Sequence, residues 1–128
     1  MTATLDSSAL TKLAAKDRAT MARLRGLLDR DLWPPIVPTA VLVESLTGKG
    51  PRDARVNRLL RTCEVVDLDT GIARRAAYLR TRARAGSAVD AVVVATAESE
   101  ASTIVITGDA DDLTRLSRHS QPVTIMAI

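Results

Sequence analysis

Five short runs rich in β-branched residues punctuate this chain, and stretches of helical period fill the spaces between them. The runs are Thr2 to Leu5, Ile36 with Val37, Cys63 to Leu68 (CEVVDL), Thr103 to Thr107 (TIVIT) and Val123 to Met126. The helical stretches are Ser7 to Leu13, Asp17 to Asp29, Pro38–Thr39 to about Thr47, Asp53 to Arg61, Asp69 to Arg84, Val89 to Ser99 and Asp109 to Arg118. In the second, Met21, Leu24, Leu27 and Leu28 recur at a spacing of about 3.6. Trp33-Pro34-Pro35 breaks that helix, Gly48 and Gly50 close the third, and Gly86 closes the basic one. Parallel strands need a crossover, and a helix is the usual one. The alternation therefore predicts an α/β fold: a three-layer sandwich with a mostly parallel central sheet flanked by helices. TIVIT reads as the clearest buried strand.

A length of 128 residues, with no repeat, low-complexity tract or linker, predicts one domain over residues 1–128. Its core must be aliphatic, because the chain has no Phe, one Trp and one Tyr. The single cysteine, Cys63, excludes an internal disulfide and fits a reducing compartment. No apolar run approaches the roughly 20 residues of a membrane span. The start MTATLDSSAL lacks the basic and apolar regions of a secretory signal, so the expectation is a soluble cytoplasmic protein. A net charge of +3, carried by 15 Arg and three Lys, permits a nucleic-acid partner without requiring one.

In a parallel α/β sheet, ligands bind where strands end and helices begin. Asp6 follows the first strand, Asp109 follows TIVIT, and Asp90 opens the helix of VDAVVVATA, so acids far apart in sequence can converge. Each has a plain reading as a helix N-cap, worth about 1 kcal/mol. Asp112, three residues after Asp109, is expected on the same helix face, with Asp111 a solvated first-turn acid. Glu44 resists that reading. Val41, Leu42, Val43 and Leu46 make its helix apolar almost all round, which predicts burial, and a buried carboxylate needs a partner. The alternative is an exposed strip one residue wide. Two like charges about 4 Å apart cost on the order of 4 kcal/mol at an effective dielectric of 20, so an acid cluster must hold protons or a cation. No lysine adjoins an acid motif in sequence. Oxygen ligands suit Mg²⁺ or Mn²⁺, and one His with one Cys argues against zinc.

In TLDSSAL, VLVESL, VDAVVVATA and VITGDADDL with Thr114, Arg115 and Leu116 behind it, the chain resembles a PIN domain, and more narrowly a VapC-type toxin of a type II toxin–antitoxin pair. The resemblance covers essentially the whole chain. It implies an Mg²⁺-dependent endoribonuclease, usually dimeric, that cleaves RNA and is inhibited by a cognate VapB-like antitoxin. It also implies that Asp6, Glu44, Asp90 and Asp109 are the catalytic acids in chain order, with Asp112 a further acid. Metal would fall to Asp6, Asp90, Asp109 and Asp112, and Glu44 would orient or deprotonate the attacking water. Ser7 and Thr107 match small hydroxyl positions that support the site by hydrogen bonds.

Other residues carry two readings. Arg74, Arg75, Arg80, Arg82 and Arg84 are a track for RNA phosphates or a solvated helix face. Leu24, Leu27 and Leu28 serve a dimer interface or the core. Cys63 reads as a small buried hydrophobe, and His119 has no acid–base partner in sequence. Without Phe, base stacking would fall to Trp33, Tyr78 or Arg planes. A phospho-acceptor receiver domain would need a lysine near its last strand, and the only lysines are Lys12, Lys16 and Lys49. A non-catalytic PIN-like module and a metal-dependent DNA nuclease are the other classes compatible with these motifs.

Overall fold

A computed structural model describes residues 2–128. The five β-branched runs become strands β1 (Ala3–Leu5), β2 (Ile36–Pro38), β3 (Glu64–Val66), β4 (Ile104–Thr107) and β5 (Thr124–Ala127). The helices are α1 (Ser7–Ala14), α2 (Arg18–Asp29), α3 (Thr39–Ser45), α4 (Gly50–Leu60), α5 (Thr70–Ala83), α6 (Ala88–Ser99) and α7 (Asp111–Ser117). The strands form one sheet in the order β3-β2-β1-β4-β5, and every pairing is parallel. Leu5 stands opposite Ile106, and Thr4 opposite Ile36, so the carboxyl ends of β1, β2 and β4 are level to within one residue.

This order positions a site. The chain steps outward from β1 through β2 to β3, then returns to lay β4 on the other side of β1. The strand order reverses between β1 and β4, and a crevice opens beyond their carboxyl ends. The residues that follow β1 and β4 are Asp6 and the Gly108–Asp109 turn.

The core is aliphatic, as the missing Phe requires. Leu5, Leu10, Leu13, Leu79, Ile106, Leu113 and Leu116 are fully buried, each contributing roughly 1.5–3 kcal/mol. Helix α6 is buried without a break from Ala91 to Ala97, packed on the sheet and between α5 and α7. Helix α1 packs with α2 and α4, and the short α3 touches both α1 and α6.

Three boundaries differ from expectation. Gly50 opens α4 instead of closing α3, because Pro51 occupies the first turn, where its missing N–H costs nothing. Strand β3 is shorter than CEVVDL and lies at the sheet edge, with Val65 and Leu68 exposed. Helix α7 begins at Asp111, which leaves Asp109 outside it. Gly86, at φ +83°, turns the chain from α5 into α6, where a Cβ would come 2.7 Å from the Leu116 side chain. Among the described residues, no helix is long and apolar enough to cross a membrane.

Candidate active site

Asp6 is the first residue past β1, and only 5% of it is exposed. Its Oδ1 accepts hydrogen bonds from the Ala9 amide and the Ser8 hydroxyl, both at 2.8 Å. It thus caps α1, as its plain reading had it, while facing the crevice. Its Oδ2 accepts from Thr107 Oγ1 at the end of β4. Thr107 is fully buried, and its hydroxyl oxygen also accepts from the Asp109 amide at 2.9 Å. Ser8 Oγ accepts from the Gly108 amide at 2.8 Å, which ties the turn after β4 to the start of α1.

The other acids are held differently from the expectation that each opens a helix. Asp90 is the third residue of α6, and Ser87 is its cap. Ser87 Oγ accepts from the Asp90 amide at 3.1 Å, while Asp90 Oδ2 accepts from the Ser87 amide at 3.0 Å, a reciprocal capping box. Asp109 caps nothing, because α7 is preceded by Ala110. It therefore does not share a helix face with Asp112. Asp112 stands 4.0 Å from Arg115 in a solvent-exposed pair of little energetic weight.

Glu44 corrects a prediction. Helix α3 buries only Val41; Glu44 is exposed, and Val43 is 81% exposed. Two turns of helix at the rim of the sheet cannot be packed on all sides, however apolar their sequence. Glu44 is held instead by Ser7, whose hydroxyl donates to Oε1 at 2.8 Å.

These acids converge. Asp6, Ser7, Ser8, Glu44, Ser87, Asp90, Asp109 and Asp112 line one cleft of about 190 Å³. All the acids expected at the site are in it, as is Ser7, and Thr107 stands behind Asp6. Ser8 and Ser87 were not foreseen. No basic side chain is among the lining residues. Burial pushes the Asp6 carboxyl above its ordinary pKa and Asp90's charge adds to the rise, against the hydrogen bonds from Thr107, Ala9 and Ser8.

The PIN domain family model matches residues 3–118. This chain belongs to the PIN domain family. PIN domains are generally nucleases, and the family generally uses divalent metal ions. Among curated proteins, none is matched by the sequence. Solved structures share the PIN fold. VapBC2 from Rickettsia felis, bound to a promoter DNA fragment, is 15% identical over 100% of this chain and 99% of that one, with a TM-score of 0.75. A toxin–antitoxin complex from Klebsiella pneumoniae is 22% identical over 86% and 88%, with a TM-score of 0.70. VapC20 from Mycobacterium tuberculosis, a sarcin-ricin loop cleaving toxin, is 17% identical over 94% and 98%, with a TM-score of 0.67.

The donor set of this PIN domain fits a hard dication. Every ligand atom in the cleft is oxygen, and the carboxylates of Asp109 and Asp112 accept no hydrogen bond among the described residues. Among the described residues, no three acids already stand close enough to grip one ion together.

One cation departs from the sequence expectation. Lys12 does approach an acid motif: its Cε and Nζ lie 3.0 Å from where a Cβ on Gly108 would sit. The arginines of α5 do not form one track. Arg75 is locked to Glu98 by two hydrogen bonds of 2.7 and 3.0 Å and sits over the Tyr78 ring, while Arg80 donates to the Gly86 carbonyl. Arg74, Arg82 and Arg84 are exposed. Cys63 is half-buried, and burial pushes its thiol up to about 11, which suits an inert side chain.

Proposed function

We propose that this PIN domain, acting as a single unit over residues 1–128, is an Mg²⁺-dependent endoribonuclease and the toxin of a cytoplasmic toxin–antitoxin pair. The observation that carries the reading is the convergence of five carboxylates, from four separate segments, on one cleft without a basic side chain. Carboxylates gathered on one cleft repel one another, and a cation held among them would relieve that repulsion.

Asp6, Asp90, Asp109 and Asp112 would hold Mg²⁺, with Mn²⁺ a substitute. A bound dication stabilises phosphoryl charge and lowers the pKa of a water. The protein's own part is positioning and proton transfer. Ser8, the Ala9 amide and Thr107 fix the plane of the Asp6 carboxylate. Ser87 fixes Asp90. Glu44, held by Ser7 at the exposed rim, takes the proton of the attacking water. The water oxygen bonds to phosphorus, the bond to the leaving ribose oxygen breaks, and that oxygen is protonated from solvent.

Toxin–antitoxin complexes among the similar structures support an antitoxin partner. A groove of about 390 Å³ between α2 and α4, lined by Met21, Leu24, Leu28, Trp33 and Leu59, offers it an apolar seat. At the edge of the sheet, exposed Val65 on β3 and Leu68 just beyond it suit a second copy of the chain. Sedimentation of the protein alone, and co-expressed with its neighbouring gene product, should give a dimer and then a hetero-complex; a monomer in both removes the partner reading.

The test of the activity is incubation with RNA and, separately, with single-stranded DNA, in Mg²⁺ or EDTA, followed by sequencing of the new ends. RNA cleaved in Mg²⁺ by wild type and not by Asp90→Asn is the expected result. Cleavage of DNA alone would replace RNA as the substrate, and cleavage of neither would leave a non-catalytic module.

A further inference from the structure

The acid cleft opens into a second hollow. This shelf, of about 390 Å³, shares Ser7, Ser8 and Glu44 with the cleft and adds Thr11 and Lys12 from α1. The two hollows differ in charge: the charged groups of the cleft are all carboxylates, whereas the shelf carries an ammonium beside the shared Glu44.

Lys12 is held in place by its stem. The side chain crosses Gly108 so closely that a Cβ there would meet its Cδ, Cε and Nζ at 3.0 to 3.3 Å. The ammonium then donates to the main-chain oxygen of Ile128, the last residue of the sequence, at 3.2 Å. That uses one of three donors. No carboxylate side chain lies within salt-bridge distance of it among the described residues. Thr11 is exposed, and its hydroxyl has no hydrogen-bond partner among the described residues. The neighbouring hydroxyls are committed: Ser7 donates to Glu44, and Ser8 to Asp6. Free donors therefore lie on the Thr11–Lys12 side of the shelf, and acceptors on the cleft side.

A phosphodiester is an anion that only accepts hydrogen bonds. With the cleft acids given over to a cation, the Thr11–Lys12 side is the part of the shelf that offers such an anion uncommitted protein donors. We propose that the shelf seats the RNA phosphate next to the scissile one, with Lys12 as a positioning residue and Thr11 as a second donor. The inference rests on the ribonuclease reading and deepens it. Lys12 lies outside the proposed catalytic set, and its work is to fix which bond of the strand reaches the acids.

The test uses Lys12→Met, which keeps the stem over Gly108 and removes the charge, and Lys12→Arg, which restores it. Cleavage of a single-stranded RNA oligonucleotide in Mg²⁺ gives KM and kcat. Affinity against salt is read in an Asp90→Asn background, so that no substrate is consumed. Lys12→Met should raise KM about three- to tenfold, the range of one ordinary net hydrogen bond at a solvent-exposed surface, with kcat and Tm unchanged. The slope of log affinity against log salt should flatten by about 0.7, the increment for one phosphate of a single strand. Lys12→Arg should restore both. Unchanged KM and slope, or a fall in kcat alone, overturns the shelf while wild-type cleavage upholds the ribonuclease. Absence of RNA cleavage by wild type overturns that reading and the shelf with it.

Discussion

Asp6 and Asp53 each leave only 5% of their surface exposed, and each accepts several hydrogen bonds, yet their carboxyls are pushed in opposite directions. Asp53, on α4, ties down the turn after α3. Its Oδ1 accepts from the Thr47 amide and hydroxyl at 2.9 Å, and its Oδ2 from the Gly48 amide at 2.9 Å. The Thr47 amide is the main cause of its lowered pKa, and these bonds outweigh burial. At Asp6, burial wins. The difference lies first in depth, since Asp6 is enclosed by more protein and loses more solvation, and then in the partners. Two of the three donors to Asp6 are hydroxyls, which can turn away, and Asp90 adds a like charge across the cleft. A small exposed surface alone does not mark a functional acid; a deeply enclosed carboxyl short of fixed donors and facing another anion is the stronger candidate.

The largest expected effect tests that distinction at Asp6. Asp6→Asn keeps one oxygen for Ala9 and Ser8. The new amide can donate to Thr107 Oγ1, whose hydrogen has the Asp109 carbonyl 2.9 Å away as an alternative acceptor. The fold should therefore tolerate the change, with the metal-free Tm equal to wild type or higher. RNA cleavage should fall by more than roughly 100-fold, beyond the loss typical for a ligand's supporting hydrogen bond. Mg²⁺ at a hundredfold its Kd should stabilise wild type by about 2.7 kcal/mol and leave the variant unmoved. Cleavage assays and thermal unfolding with and without Mg²⁺ read this out, and a lower metal-free Tm would make Asp6 a second Asp53.

The elements of the fold were legible because each carries its own local signal. β-branched runs, helical period and the Trp33-Pro34-Pro35 and Gly86 punctuation are all readable within a dozen residues. Legibility failed where a residue's surroundings come from distant chain. Glu44 was singled out for a burial it does not have; only the placement of α3 at the sheet rim decides that. Ser8 joins the site through the Gly108 amide, a hundred residues away, and Lys12 reaches Gly108 from one side of the sheet reversal to the other. Ser87 was within reach: Ser-x-x-Asp ahead of an apolar run is a capping-box signature, and it places Asp90 third in its helix. Asp53 gave no signal, since its bonds reach back across a turn to Thr47 and Gly48.

The next effect is on stability. Asp53→Asn must turn its amide toward either the Thr47 donors or the Gly48 amide, so donor faces donor in both orientations. Tm should fall by several degrees, with cleavage at low temperature retained. The smallest effect sharpens the contrast through pH. A carboxyl held below its ordinary value stabilises the fold above that value, and the gain is lost as pH falls through the lowered pKa. A carboxyl held above it does the reverse: its stabilisation is complete in acid and lost as pH rises through the raised pKa. Against metal-free wild type, the Tm deficit of Asp53→Asn should be widest near neutrality and shrink below the ordinary aspartate value of about 3.9. Any Tm gain of Asp6→Asn should be absent in acid and grow as pH rises above that value. Thermal scans across this range that moved both differences in the same direction would show that the two buried aspartates differ in name only.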